Sequence, residues 1–320
     1  EYLEDPSKNL TIEDITTGKH SDDFIPHFKD FPSFGFTESA YWYRTRIVNP
    51  YPEQQDLILE EIIPYLDSIK LFIPNAANDG FDIRHVGDKK LFAEREVEHH
   101  SFLFHLTLAP NQSLPIYIRV EGRAALMTPF TFWHVDAFNK HSNNASFAFG
   151  IFYGILAVII LYTLYIFIRM NDRNYLYFIL FILSIGLMVA TSHGYSYMYL
   201  WPESPFLAER MQVICISSIQ LFGVLFARSF LSTKLALPRT DKFLFGFMLL
   251  HVLIILGSFL VSDVVPLAKL TILAVQLYSP LLLISGILSW RKGNKAARFY
   301  LLAWTSSIVG SYITGFTLLN

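Results

Sequence analysis

The chain has 320 residues, of which 52% are hydrophobic and 16% carry a charge, and its formal net charge at pH 7 is −2. That balance hides a division, because residues 1–140 contain 13 Lys/Arg against 22 Asp/Glu, whereas residues 141–320 contain 12 against 5. The acidic front half argues against nucleic-acid binding, and the single cysteine, Cys215, excludes an intrachain disulfide.

The first 36 residues are polar and irregular, and they predict at most one short strand. From residue 39 onward, apolar and polar residues alternate in short runs that turn residues separate, which is typical of β-strands. The predicted strands are Ser39–Val48, Asp56–Ile63, Tyr65–Ile73, Phe81–Val86, His99–Leu108, Ser113–Glu121 and Leu126–Val135. This pattern, without a helical period, predicts an antiparallel sandwich of jelly-roll type over residues 1–138.

Long apolar runs fill the second half of the chain. Each is long enough to cross about 30 Å of hydrocarbon as a helix, and lipid offers no other partner for the backbone. The six predicted spans are Ser146–Ile168, Asn174–Trp201, Met211–Ala227, Phe243–Val261, Leu270–Trp290 and Phe299–Asn320. Residues 146–320 are therefore predicted to form an all-α polytopic transmembrane bundle, joined to the sandwich by a short linker over residues 139–145.

The loops between spans one and two, three and four, and five and six carry most of the basic residues, so the positive-inside rule places these loops in the cytoplasm. Everything before Ser146 is then extracytoplasmic, which predicts a multi-pass membrane protein with an N-terminal domain outside the cytoplasm. We also expect that a signal sequence has been removed, and that a seventh span and a cytoplasmic output module follow Asn320 in the complete protein.

Candidate ligand-binding residues lie on the predicted strands: Trp42, Arg44, Arg46, Arg119, Glu121 and Trp133. Arginine offers a planar fork to sugar hydroxyls or carboxylates, and tryptophan offers a face for stacking on a sugar ring. The alternative is architectural, with Trp42 in the core and Arg44 in a structural ion pair. Trp133 has the same alternative. The outer ends of the spans add Tyr195, Tyr197, Tyr199 and Trp201, which are typical of an aromatic belt at the membrane surface.

Catalytic and metal sites find no support in the sequence. On one strand His99 and His100 would point to opposite faces, and His105 would lie too far away to share a metal with them. No phosphate loop, zinc or nucleophile motif occurs, so we expect no cofactor, no metal and no enzyme activity in this chain. Within the spans Gln220, His251 and Gln276 are polar outliers that either bond between helices or line a functional cavity.

Several short motifs carry a family resemblance: Gly35-Phe36-Thr37 before Tyr41–Arg44, Leu59-Glu60 with Pro64–Pro74, and Phe152-Tyr153-Gly154 with Pro238-Arg239 in the membrane half. The chain resembles the bacterial seven-transmembrane receptors with diverse intracellular signalling modules. That resemblance implies a sandwich, often likened to carbohydrate-binding modules, that senses a ligand outside, and helices that signal to a kinase, cyclase, phosphatase or similar module inside.

We therefore predict a transmembrane signal receptor that binds a small molecule or glycan outside, lies in the lipid bilayer, forms a homodimer and acts on a cytoplasmic partner or fused output domain. A membrane transporter is the first alternative, although the polar residues in the spans are scattered rather than arranged as a path. A membrane-anchored binding protein is the second alternative, although one span would suffice for an anchor.

Overall fold

A computed structural model of the protein describes residues 1–26, 32–75, 77, 79–123 and 125–305. The chain divides into two compact units. The sandwich unit consists of Glu1–Gly150 and Val189–Glu209, and the helical unit consists of Ile151–Met188 and Arg210–Asn320. The sandwich unit thus contains a segment from the second half of the chain, which was predicted to lie wholly in the membrane bundle.

Ten strands build the described part of the sandwich unit: β1 (Tyr2–Asp5), β2 (Ser33–Phe36), β3 (Ala40–Val48), β4 (Gln55–Glu61), β5 (Ser68–Pro74), β6 (Phe81–Val86), β7 (Phe102–Leu108), β8 (Ser113–Glu121), β9 (Ala125–Met127) and β10 (Phe130–His134). All their pairings are antiparallel. The predicted all-β sandwich is confirmed.

Three sheets share these strands, in the orders β1-β3-β8-β5-β6, β10-β4-β7 and β2-β9. The main core contains buried apolar side chains from the two larger sheets, among them Leu71 and Ile118 from the first and Leu59 and Phe104 from the second. Residues of alternating polarity, such as those of β8, place every second side chain in this core, because successive side chains on a strand point to opposite faces.

A second apolar cluster covers part of the opposite face of the five-stranded sheet. It joins Trp42 of β3 and Phe72 of β5 to residues of the N-terminal segment, including Ile15 and Phe24. A short helix, α1 (Ile12–Thr16), lies within that segment and begins at a capping box formed by Thr11 and Asp14. The polar lead-in predicted from the sequence is therefore a folded cover for this face.

The long helices are α2 (Val135–Met170), α3 (Arg173–Ser192), α5 (Pro205–Phe230), α7 (Pro238–Leu260) and α8 (Val265–Arg291), and the short ones are α4 (Tyr195–Tyr199) and α6 (Thr233–Ala236). In the part of the chain that the structure describes, these five long helices have the length and composition to cross a membrane. Residues 297–305 are also helical, and the rest of the predicted sixth span lies outside the described residues.

The first long helix begins at Val135, well before the predicted span, and directly after β10. Residues 139–145, predicted as a linker, are helical and form part of α2. Their polar composition gives no hydropathy signal, yet Phe138 is buried and the Ser142 hydroxyl lies 3.2 Å from the His99 ring. Contacts with the sandwich thus support a helix start that a hydropathy pattern does not reveal.

Within the helical unit, polar contacts at both ends fix α5 against α7. The guanidinium of Arg210 donates to the carbonyl of Ser258 at 2.9 Å, and Arg228 forms a two-point ion pair with Asp241 at 2.9 Å for each bond. Because the N-terminal part of α5 contacts the C-terminal part of α7, and the C-terminal part of α5 contacts the N-terminal part of α7, the two helices are antiparallel. Bidentate pairing of this kind fixes geometry as well as adding attraction.

Candidate functional site

An arginine-bearing groove lies on the face of the five-stranded sheet that points away from the main core. Trp42, Arg44 and Arg46 alternate along β3 and therefore project from one face, as predicted. In the register of β3 with β8, Arg44 is opposite Tyr117 and Arg46 is opposite Pro115. The structure therefore brings two basic side chains beside an aromatic ring and a proline.

The groove has a volume of about 460 Å³, and its lining is formed by Glu1, Arg44, Thr45, Arg46, Pro115 and Tyr117. Arg44 is held in place on three sides: Nε donates to Glu1 at 2.6 Å, Nη2 donates to the Ser21 carbonyl at 3.1 Å, and the guanidinium lies 4.1 Å above the Phe24 ring. Arg44 lowers the pKa of the Glu1 carboxyl mainly through that hydrogen bond. Arg44 is thus in an ion pair, as the architectural alternative predicted, and its role in ligand binding stays a prediction.

Arg46 differs from Arg44 in its surroundings. Its side chain is exposed, and among the described residues it has no hydrogen-bond or ion-pair partner. A guanidinium carries five donors, and one without an internal bond binds an acceptor without first breaking such a bond. The role of Arg46 in ligand binding stays a prediction.

Trp42, Arg119 and Glu121 share this face but lie under the N-terminal cover. Trp42 is 1% exposed and stacks on Phe72 at 5.3 Å. The buried Arg119 pairs with Glu121, donates to the Lys8 carbonyl at 3.1 Å and lies 5.8 Å from the Trp42 ring. Trp42 thus lies in a core, as the architectural alternative predicted, and the role of all three residues in ligand binding stays a prediction.

Trp133 lies on β10, in the other sheet, and does not join the groove. Its Nε1 donates to Glu60 at 2.9 Å, and its ring stacks on His141 of α2 at 4.8 Å. Neutral indole donors seek such a partner when they are partly buried. Trp133 therefore links the three-stranded sheet to the first turns of α2.

A second set of contacts joins the sandwich to the segment Val189–Glu209, which connects α3 with α5. We call this set of contacts the loop dock. The Phe92 amide donates to the Pro202 carbonyl at 3.1 Å, the Tyr197 hydroxyl donates to the Lys90 carbonyl, and the Phe92 and Tyr197 rings meet edge to face at 5.8 Å. Both backbone and side-chain bonds therefore tie the connection between two spans to the sandwich.

Gly194 makes the closest approach of the loop dock. Its φ is +77°, in the left-handed region, where a side chain is disfavoured. A Cβ at this position would overlap the carbonyl oxygen of His100 and lie 3.0 Å from the Cβ of Pro64. Only glycine fits this backbone geometry and this contact together.

Arg95 lies at the centre of the loop dock and is 8% exposed. Its Nη1 donates to the carbonyls of His99 at 2.8 Å and His100 at 3.2 Å, and its guanidinium carbon lies 4.6 Å from the Phe92 ring centre and 5.6 Å from that of Tyr197. Burial lowers its pKa to about 10, so it stays charged at neutral pH. Its charge is stabilised by carbonyl oxygens and ring faces.

An acidic group lies beside this cation. Asp88 is 4% exposed, and burial raises the pKa of its carboxyl to about 7, with the carboxylates of Asp67 and Glu209 acting in the same direction and Lys89 and Arg123 opposing them. Arg123 lies between two of these carboxylates, since it pairs with Asp67 at 3.0 Å and also with Glu209. The Arg123–Glu209 pair is a further link of the loop dock.

The two neighbouring histidines contradict the expectation that their side chains point to opposite faces. β7 begins only at Phe102, so His99 and His100 precede the strand, and their rings lie 4.1 Å apart. His100 also lies 4.2 Å from the Tyr195 ring across the loop dock. Burial lowers the pKa of His99 to about 4 and that of His100 to about 3, so both rings are neutral at pH 7.

The predicted aromatic belt is likewise divided. Tyr197 is 4% exposed because it packs on the sandwich, whereas Tyr199 is 69% exposed. The prediction that Tyr197 anchors the protein at the membrane surface was therefore wrong. Composition marks an aromatic side chain that needs an apolar surface, but it does not distinguish lipid from protein as that surface.

The polar residues of the helical unit have unequal surroundings. Gln220 and His251 are buried at 2% and 0% exposure, and none of their side-chain nitrogen and oxygen atoms has a hydrogen-bond partner among the described residues. Gln276 is exposed. Arg210 of α5 contacts Ser258 of the antiparallel helix α7. Ser217 lies seven residues after Arg210 and His251 lies seven residues before Ser258, so Ser217 and His251 lie at the same depth.

Sequence reasoning missed the close contact of Gly194 and the carbonyl contacts of Arg210. Gly194 is an isolated glycine within an apolar stretch, and its left-handed backbone has no sequence signal apart from the residue type. Arg210 donates to three carbonyls at the end of α7, those of Ser258, Val261 and Ser262. A cation at the C-terminal end of a helix is a recognised stabilising pattern, but the helix that it serves is distant in sequence.

An extracellular β-sandwich that continues into a set of apolar helices defines a multi-pass membrane sensor. Family models extend that class over nearly the whole chain: the model for the extracellular 2 domain of seven-transmembrane receptors with diverse intracellular signalling matches residues 1–134, and the model for their seven-transmembrane region matches residues 145–320. The chain belongs to this receptor family. A comparison with curated proteins found no match.

Proposed function

We propose that this receptor binds a small molecule or glycan in the groove of Arg44 and Arg46, and that the bundle passes the bound state to a cytoplasmic output module at the bacterial inner membrane. The observation that supports the proposal is an open basic groove in a compact unit that also contains two connections to the long helices. One link is α2 and the other is the loop dock.

The first link needs no flexible segment, because β10 ends at His134 and α2 begins at Val135. A displacement of β10 is therefore transferred to a continuous helix of 36 residues. The second link reaches α3 and α5, since the docked segment is their connection. A ligand shifts such a system only by binding one of its two conformations more tightly than the other.

The loop dock also bears on the alternative of a membrane-anchored binding protein. An anchor needs one helix, and it needs no contact between the binding domain and the loops of other spans. The hydrogen bond from Phe92 to Pro202 and the pair of Arg123 with Glu209 are contacts of this kind. They favour a receptor in which the sandwich acts on several helices.

The proposal is tested with the full chain in lipid nanodiscs, in a thermal-shift screen against sugars, glycan fragments and small carboxylates. A compound that binds the folded state raises the melting temperature by mass action. We expect Arg46→Gln to abolish the shift and Lys19→Gln, which removes an exposed charge outside the groove, to preserve it. If no compound of these classes shifts the wild-type protein, or if both variants respond alike, the groove is not the sensing site.

A further inference from the structure

Ser217 and His251 lie at the same depth in a buried seam between α5 and α7. Further along that seam, Val224 of α5 and Leu244 of α7 pack in one apolar cluster, which agrees with the same register. Gln220 is also buried and follows Ser217 by three residues, or about 4.5 Å along the helix axis. Ser217, Gln220 and His251 therefore form a polar layer between apolar contacts of the seam.

The polar layer differs from several other buried hydroxyl groups of the long helices. Those groups donate to the carbonyl four residues earlier in their own helix at 2.7–2.8 Å, as in Ser184, Ser258, Thr271 and Ser285. The Ser217 hydroxyl has no such bond, and none of the side-chain nitrogen and oxygen atoms of the polar layer has a partner among the described residues. Because apolar surroundings offer no replacement, buried polar atoms are rarely left unpaired. The polar layer thus has hydrogen-bonding capacity that this arrangement of α5 and α7 does not use.

The contacts of Arg210 fit a second register of the two helices. Arg210 donates to the carbonyl of Ser258 at 2.9 Å, and also to those of Val261 at 3.0 Å and Ser262 at 3.3 Å. Val261 lies three residues beyond Ser258, which is close to one helical turn. A slide of α7 by three residues against α5 would bring Val261 level with Arg210. This end of the seam would then keep a hydrogen bond that it already has.

The ion pair at the other end of the seam also fits this slide. Counted from the Arg210 contact, Asp241 lies one residue past the level of Arg228, and after the slide it would lie two residues short of that level. These offsets are about 1.5 Å and about 3 Å along the helix axis. The Arg228 guanidinium also lies 3.7 Å from the sulfur of Met248, two turns away from Asp241, so its reach along α7 exceeds the slide.

The same slide would bring Gln220 level with His251. In the described register the two residues differ in depth by about one turn. The glutamine amide contains both a donor and an acceptor, and a neutral imidazole has one of each. The two side chains can therefore pair in the second register, whichever ring nitrogen carries the proton. Displacement by one turn is a recognised form of conformational switch, because packed interfaces settle in discrete arrangements.

We propose that α5 and α7 switch between two registers one helical turn apart, and that a hydrogen bond between Gln220 and His251 stabilises the second register. The structure shows the first register, in which both side chains are unpaired among the described residues. This inference rests on the proposed function for its role in signalling, whereas the two registers themselves are tested without a ligand. The two proposals can therefore fail independently.

The test uses double electron–electron resonance on the full chain in nanodiscs, with spin labels attached after Ser229→Cys and Leu260→Cys in a Cys215→Ser background. Ser229 is half-buried near the end of α5, and Leu260 is exposed at the end of α7. Along the axis the two positions are roughly 31 Å apart in the described register and roughly 27 Å apart after the slide. We expect two distance populations that differ by roughly 4 Å.

His251→Leu and Gln220→Leu should each remove the population with the shorter distance, because each variant lacks one partner of the hydrogen bond. Gln276→Leu is the matched control, since it removes an exposed amide from α8, and it should keep both populations. The longer distance, present in all variants, shows that the described fold is retained. Nitrogen NMR of the His251 ring adds a second readout, with bonded and unbonded signals in the wild-type protein and only the unbonded signal in Gln220→Leu.

A single distance population without either leucine substitution would overturn the proposal, as would two populations that persist in both His251→Leu and Gln220→Leu. A bonded His251 signal together with a single distance would also overturn it, because the pair would then form by side-chain rotation alone. If a ligand binds in the groove while the bundle has one register, this inference alone has failed. If two registers occur and no ligand binds in the groove, the sensing site has failed and the switch stands.

Discussion

Replacing Gly194 by alanine tests whether the loop dock holds the connection between α3 and α5 on the sandwich. The change places a non-glycine residue at φ +77°, which alone costs about 1–2 kcal/mol. It also puts a Cβ against the His100 carbonyl oxygen, a backbone atom that cannot rotate away as a side chain would. We expect the loop dock to open, because the overlap has no local relief.

The interactions that break when the loop dock opens set the magnitude. The two hydrogen bonds of Phe92 and Tyr197 contribute roughly 1 kcal/mol each, the packing of their rings and that of His100 with Tyr195 about 0.5–1.5 kcal/mol each, and the Arg123–Glu209 pair at most about 1 kcal/mol. Together these contributions stabilise the closed loop dock by about 3–6 kcal/mol. Their removal corresponds to roughly 10²- to 10⁴-fold faster amide exchange where opening controls the exchange.

The assay is hydrogen–deuterium exchange of the full chain in nanodiscs, read at the Phe92 amide, which donates across the loop dock to Pro202. Gly18→Ala is the matched control, because Gly18 has φ +81° and its nearest atom is a side-chain oxygen at an ordinary 3.7 Å. Exchange at Phe92 should rise in Gly194→Ala and stay near wild type in Gly18→Ala. Equal exchange in the two variants would refute the argument that a specific contact at Gly194 holds the loop dock.

Buried polar groups give two further predictions. Because its pKa is raised, Asp88 contributes stability below about pH 4, and this contribution is lost as the pH rises to about 7. His99 and His100 have lowered pKa values, so their contribution is present above about pH 6.5 and is lost as the pH falls. Between about pH 4 and pH 6.5 these contributions oppose each other, so Asp88→Asn should make the melting temperature fall more steeply as the pH drops through this range; a profile identical to wild type would contradict the assignment. In the helical unit, His251→Leu removes two buried nitrogens that lack a partner among the described residues. The variant should therefore have a free energy of unfolding about 1–3 kcal/mol higher than wild type, measured by denaturation in detergent. A decrease would show that the His251 ring forms a hydrogen bond.

Many strands of the sandwich were predictable because one face of the strand packs in a core and the other does not. β6 and β8 have the predicted bounds, and in both the period of two follows from one face packing in a core. At most one short strand was predicted over residues 1–36, where the structure has β1 and β2, because each has only four residues and lacks a run of alternation long enough to recognise.

The helices were predictable from hydropathy, but their ends were not. α2 begins with polar residues, among them Asn139 and Ser142, which belong to the helix because its outer turns pack on the sandwich. The second predicted span extended to Trp201, yet α3 ends at Ser192 and the following residues form the loop dock. At both helix ends the structure depends on contacts between residues distant in sequence, which a local hydropathy pattern does not reveal.

The candidate site was predictable in part. The sequence placed Trp42, Arg44 and Arg46 on one face of a strand, and the structure has them there. It did not indicate that the N-terminal segment covers Trp42 and leaves Arg46 open, because that segment has no strand or long helix pattern of its own. The covered end and the open end of one face differ only in their tertiary contacts.

We infer that the state of the sandwich reaches the cytoplasmic side of the bundle through α2 and the loop dock. The test is hydrogen–deuterium exchange of residues 231–237, the segment between α5 and α7 that contains α6, in the full chain in nanodiscs. If the claim holds, Gly194→Ala changes exchange in this segment and Gly18→Ala does not. If the change in Gly194→Ala stays confined to residues 1–150 and 189–209, the loop dock does not transmit to the bundle and the claim is contradicted.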